Sequence, residues 1–258
     1  MFFQITSYLN FLIRSSNKHG VHSPFVYDLI TRCFNDKSPK DWYKMLESFR
    51  NSLLINKTKI EIEDLGAGSK KLHQNKRQIS QIAKNAGITK KRANLLGRLA
   101  VYIGCKNILE IGTSLGIGTA SLAMATPKNS ITTLEGCRNT AAVAKENFKK
   151  LELHNINMVI GNFDNTLPGV LKNNIYNLIF FDGNHQKEAT LKYFSQCLEH
   201  SHNDSVFIFD DIYWSKGMQE AWQNIKSHPK VTISIDTFQW GLVFFRNEQE
   251  KQHFTIRV

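Results

Sequence analysis

The chain is 258 residues long, 41% apolar and 21% charged, with 33 Lys and Arg against 22 Asp and Glu. That length suits one large α/β domain with an extension, or two small domains, and allows a sizeable core. The four cysteines, Cys33, Cys105, Cys137 and Cys197, stand apart with no C-x-x-C, which argues against zinc knuckles and a disulfide framework and fits a reducing, cytoplasmic setting.

Residues 1–98 read as mainly helical and basic. The opening MFFQITSYLNFLIR is apolar in places, but Gln4, Ser7 and Asn10 interrupt it and no basic segment precedes it. It reads as an amphipathic docking helix, not as a signal peptide or a membrane span. A loop, HGVHSPFVYD, follows at residues 19–28. Residues 60–69, IEIEDLGAGS, imitate a cofactor turn with Asp64, Gly66 and Gly68, yet the KKLHQNKRQ that follows is too polar for a helix buried against a sheet. This first part carries 18 Lys and Arg and 7 Asp and Glu, whereas residues 99–258 carry 15 of each, so the whole excess of +11 precedes residue 99. The charge is densest from Lys70 to Arg98 and serves either an anionic partner or a solvated helix face.

From residue 107 onward strands and helices alternate. Strands are predicted at 107–111, 130–135, 156–160, 176–181 and 205–209, and helices at 116–125, 140–151, 187–200 and 216–227. Near-continuous apolar strands between helices imply a parallel sheet covered on both faces. Two last strands, 231–237 and 241–246, are joined by a connection too short for a parallel crossover and should be antiparallel.

The segment ILEIGTSLGIGTASL, residues 108–122, takes an apolar strand through a glycine turn into a helix. Gly112 and Gly116 let backbone approach a ligand where a Cβ would clash. The spacing is not the G-x-G-x-x-G of a dinucleotide site, and no Gly-Lys-Ser/Thr follows to make a P-loop. With Glu110 two residues before Gly112, and Glu135 closing the next strand, the pattern resembles class I S-adenosylmethionine-dependent methyltransferases. That cofactor is a sulfonium cation without phosphates, so acids beside the turn attract it. The resemblance implies an α/β, Rossmann-like sheet of parallel strands with an antiparallel C-terminal strand. It divides the chain into a helical extension or lid, 1–98, and a cofactor-binding core, 99–258. The cofactor-binding residues implied are Glu110, Gly112, Thr113, Ser114, Gly116, Glu135, Gly136, Asn162, Phe163 and Asp182.

Three carboxylates end neighbouring strands: Asp182 after YNLIFF, and Asp210 and Asp211 after SVFIF. Like charges at one sheet edge repel unless a cation or shared protons compensate, and Mg²⁺ or another divalent ion held by Asp182, Asp210 and Asp211 would do so. FFDGNH and DDIYWSKG resemble the metal-bearing motifs of cation-dependent O-methyltransferases of the catechol and caffeoyl-CoA type. Those enzymes carry Asp-Asn where this chain has Asp210-Asp211, and a Lys base where it has His185. DGNH is closer to the Asp-Gly-x-His of macrocin-type sugar O-methyltransferases. His185 and Asp182 are therefore the catalytic candidates, with Trp214 as a pocket wall. The HSPF loop, read together with these motifs, resembles a group of bacterial methyltransferases and makes His19, His22 and Phe25 substrate-side candidates.

The function expected is O-methylation of a small-molecule hydroxyl, on a substrate that the basic extension allows to be anionic, with divalent-metal assistance and a homodimer as the assembly. One alternative is an RNA methyltransferase using the basic extension, although the Asn/Asp-Pro-Pro-aromatic motif of amino-group methylation is replaced here by Asp182-Gly183-Asn184-His185. The other is a non-catalytic cofactor-binding module, which would not require Glu110, Glu135, the acids and His185 together.

Overall fold

A computed structural model describes residues 2–17, 20–63 and 75–258. The extension contributes α1 (Phe2–Arg14), α2 (Pro24–Leu29, continuing as a π turn over Ile30–Phe34), α3 (Trp42–Ile55), α4 (Ile79–Asn85) and α5 (Lys90–Ile103). A short antiparallel pair, β1 (Lys59–Glu61) and β2 (Lys76–Gln78), lies between α3 and α4. The cofactor-turn imitation at Asp64, Gly66 and Gly68 lies outside the described residues, as do His19, Lys70 and Lys71.

Beyond α5 come β3 (Asn107–Ile111), α6 (Ile117–Ala125), β4 (Ser130–Glu135), α7 (Arg138–Lys150), β5 (Ile156–Ile160) and α8 (Phe163–Leu171). They are followed by β6 (Leu178–Phe181), α9 (Lys187–Leu198), β7 (Val206–Asp210), α10 (Lys216–Ser227), β8 (Ile233–Asp236), β9 (Trp240–Phe244) and β10 (Gln252–Thr255). The sheet order is β10-β8-β9-β7-β6-β3-β4-β5. Strand β9 runs antiparallel to both neighbours, and every other pairing is parallel. The expected antiparallel C-terminal strand is therefore present. From β3 the chain winds outward through β4 and β5, then returns to build β6 and β7 on the other side. This reversal opens a crevice at the carboxyl ends of β3 and β6.

Two elements beyond α5 were not expected from the sequence. Helix α8 contains Pro168 and Gly169, poor helix residues that conceal it; Asn162 caps it by accepting from the Asp164 N–H at 2.9 Å. Strand β10 is largely exposed and short, and it pairs in parallel with β8 at the sheet edge.

Strand residues alternate between two apolar clusters, one on each face of the sheet. Ile108, Leu178, Phe180, Val206 and Ile208 join Leu29, Phe49, Leu96 and Leu99 of the extension on one face. Leu109, Ile179, Phe181, Phe207 and Phe209 join Phe194, Trp222 and Ile225 on the other. The extension thus shares a core with the sheet, and α5 runs unbroken across residues 98 and 99.

Candidate active site

At the end of β3 the chain must reverse within a few residues before α6 can pack back on the sheet. Gly112 and Gly116 adopt φ of +111° and +86°, and Ser114 is left-handed at +50°. A Cβ at Gly112 would collide with the Asp182 carbonyl oxygen, and one at Gly116 with the Phe148 ring. The turn is tied to β4 through Glu135: its Oε2 accepts the Ser114 N–H at 2.7 Å and its Oε1 the Cys137 N–H at 2.9 Å. Burial pushes the Glu135 carboxyl up despite these donors.

A cavity of about 290 Å³ opens over this turn, and its wall includes Gly112, Ser114, Glu135, Gly136, Asn162, Phe163, Asp182, His185, Asp210, Asp211 and Trp214. Most of the residues expected to meet the cofactor are thus brought together. Glu110, Thr113 and Gly116 are not in the wall. Strand alternation turns Glu110 onto the sheet face beneath α6, beside its β4 register partner Thr133. There it is 1% exposed and accepts from the hydroxyls of Thr119 and, at 2.6 Å, Thr133. Burial raises its carboxyl to about 7, the two hydroxyls acting in the opposite sense. Thr113 likewise points down, its Oγ1 2.6 Å from that of Thr133, and Gly116 serves packing against Phe148.

The acidic edge holds a cation of the protein's own. Arg92 Nη1 donates to Asp210 Oδ1 at 2.7 Å, both side chains being largely buried. The charges of Asp211 and Asp182 also act on Arg92. Asp182 is driven well above the ordinary carboxyl range, first by burial and then by the charge of Asp210, with which it shares a hydrogen bond. His185 Nε2 lies 3.8 Å from Asp182 Oδ1. A resident divalent ion does not fit this arrangement. Asp210 Oδ1 is engaged by the guanidinium, and no three His, Cys, Asp or Glu side chains converge on a metal position among the described residues.

Sequence reasoning missed Arg92, Asn184 and Tyr193. Asn184 Nδ2 donates to the Tyr193 hydroxyl at 3.3 Å, while its buried Oδ1 has no partner among the described residues and sits in the cavity wall. The HSPF loop, by contrast, does not reach the site. Ser23 caps α2 ahead of Pro24, His22 is exposed, and Phe25 packs on Phe244 at 5.0 Å. Phe244 pairs with Val206 at the start of β7, the end opposite Asp210. Helix α1 takes the place beside the site instead. It walls a second cavity of about 340 Å³ with Tyr8, Leu9, Tyr213 and Phe238, which shares Asp211 and Trp214 with the first.

Residues 109–212 match a family model described as a methyltransferase domain. They carry the turn, Glu135 and the acidic strand ends just described. This stretch is thus similar to a methyltransferase domain. A catechol O-methyltransferase from Niastella koreensis is 30% identical to the chain over 129 residues, spanning 48% of this chain and 58% of that enzyme. This stretch and its surroundings share their fold with the SAH-bound Podospora anserina methyltransferase PaMTH1, at a TM-score of 0.62 and 15% identity, over 88% of this chain and 97% of that one. An O-methyltransferase from Bacillus cereus in complex with SAH gives 0.56 and 18%, over 83% and 95%. No helix among the described residues is long and apolar enough to cross a membrane.

Proposed function

We propose that the protein is an S-adenosylmethionine-dependent O-methyltransferase acting on a small-molecule hydroxyl. One observation carries the reading: the glycine turn, Glu135 and the His185–Asp182 pair open into a single cavity. The residues fit the donor. Gly112 and Ser114 bring the backbone of the turn into the cavity wall, and Asn184 Oδ1, without a partner among the described residues, offers a buried acceptor to a ligand N–H or O–H. Gly112, Ser114, Glu135, Gly136, Asn162 and Phe163 would hold it. When bound, S-adenosylmethionine supplies a methyl group whose bonding electron pair remains on sulfur as the methyl leaves.

The remaining work falls to the chain's own side chains. His185 Nε2 receives the acceptor's hydroxyl proton, and the new positive charge forms beside the carboxylate cluster. Asp182 keeps its proton to higher pH than an ordinary carboxyl. Trp214 and the aromatic cavity against α1 receive the acceptor's apolar body, so that its hydroxyl is oriented toward His185. Residues 1–98 serve in this reading as the extension that walls the acceptor side. A small hydroxylated acceptor agrees with the name of the Niastella relative.

Four cations of the basic run before residue 99, all on α5, have partners within the fold. Lys90 pairs with Glu47, Lys91 donates to the Val258 backbone oxygen, Arg92 binds Asp210, and Arg98 donates to Cys33, Phe34 and Tyr43. These contacts favour a small molecule over RNA. The test is transfer of a radiolabelled methyl group from S-adenosylmethionine to a panel of catechols, other phenols and sugars, with total RNA as a parallel arm. Label on a hydroxyl supports the proposal. Label confined to RNA, or none anywhere with the donor bound, overturns it.

A further inference from the structure

The first turn of α5 contains Lys90, Lys91 and Arg92 and no acid, with Thr89 as the N-cap. Three cations at the positive end of a helix dipole are unfavourably placed. Such an arrangement persists only where something offsets it. For Lys90 and Lys91 the partners are exposed. For Arg92 the partner is Asp210, 7% exposed, at the end of a central strand and 118 residues away in sequence.

The other two carboxylates of the cluster also act on the same guanidinium. Asp182, Asp210 and Asp211 lie at one sheet edge, where a compensating charge or a shared proton relieves their mutual repulsion. Arginine suits that task, being permanently charged and offering five N–H donors in a fixed fork that matches carboxylates. Arg92 also lines the cavity that holds His185.

We propose that Arg92 is the resident cation of this site: its guanidinium takes the place at the acid cluster that a divalent ion would otherwise occupy, so that the cluster is neutralised and positioned without added metal. Arg92 is a positioning residue in this scheme. It holds Asp210, and through Asp210 the hydrogen-bonded Asp182 beside His185. The consequence for catalysis rests on the methyltransferase reading above, whereas the cation exchange itself does not.

The experiment therefore uses Mn²⁺ alone, with neither donor nor acceptor present. Binding to the full chain at neutral pH is followed by loss of the free-ion electron paramagnetic resonance signal. The wild-type protein should show no saturable site below millimolar Mn²⁺. Arg92→Met, which keeps the length of the side chain and removes its charge, should tighten Mn²⁺ binding at least about tenfold, since a divalent ion and a guanidinium a few ångströms apart repel even at the dielectric constant of water. Arg92→Gln gives a second neutral variant should Arg92→Met fail to fold, and Arg92→Lys, which restores a cation, should behave as the wild type. Circular dichroism establishes which variants are folded. A stoichiometric, micromolar Mn²⁺ site in the wild type would overturn the proposal, and so would folded neutral variants that bind Mn²⁺ no better than the wild type. Failure of donor binding would refute the methyltransferase reading and leave this result standing.

Discussion

Replacing Glu110 by Gln should change how stability depends on pH, and by an amount the structure supplies. Glu110 is 1% exposed and its carboxyl is raised from an ordinary 4.5 to about 7, chiefly by burial. Between those values the folded protein binds a proton that the unfolded chain has released. The stabilising contribution of this group is therefore complete below pH 4.5 and is lost as the pH rises through 7. A difference of 2.5 pH units corresponds to about 3 kcal/mol. Glutamine has nearly the same shape and can still accept from the Thr119 and Thr133 hydroxyls, but it cannot ionise. Urea unfolding of both proteins, without donor, at pH 4.5 and pH 8 gives the comparison. The unfolding free energy of Glu110→Gln minus that of the wild type should increase by about 3 kcal/mol between the two. A difference that stays constant across this range would refute the placement of Glu110 as a buried carboxyl.

Gly112→Ala puts a methyl against the Asp182 carbonyl oxygen at a φ of +111°, and should cost at least about 3 kcal/mol in chemical denaturation together with the loss of donor binding. A variant of wild-type stability would show that the turn is not packed on β6 as described. His185→Ala should lower kcat by about 10²- to 10⁴-fold while the donor's Kd is unchanged, since the proposed mechanism gives His185 the acceptor's proton and no contact with the donor. Turnover that survives the substitution would remove His185 from the mechanism.

Much of the core was legible because its signals are local. The strand-turn-helix at residues 108–122 announces itself through two glycines, and the carboxylates at 182, 210 and 211 are placed by the ends of apolar runs. The alternation that makes strands readable also turned Glu110 away from the cavity, which motif matching alone does not register. Helix α8 was hidden by Pro168 and Gly169. The HSPF segment looked like a substrate loop, yet Ser23 and Pro24 form an N-cap and first-turn signal for a helix packed at the other end of the sheet. Arg92 was the largest omission. It belonged to a basic run whose charge drew attention outward, and its pairing with Asp210 depends on tertiary packing. The trace it left in the sequence is three cations directly after Thr89, at the end of a helix that ordinarily favours acids.

Isothermal titration of the full chain with S-adenosylmethionine, in buffer containing EDTA, tests the central claim most directly. The wild type should bind one donor per chain. Glu135→Ala removes the carboxylate that ties the Ser114 and Cys137 N–H groups beside the cavity, and should weaken binding at least about tenfold. The absence of saturable binding to the folded wild-type protein would contradict the account.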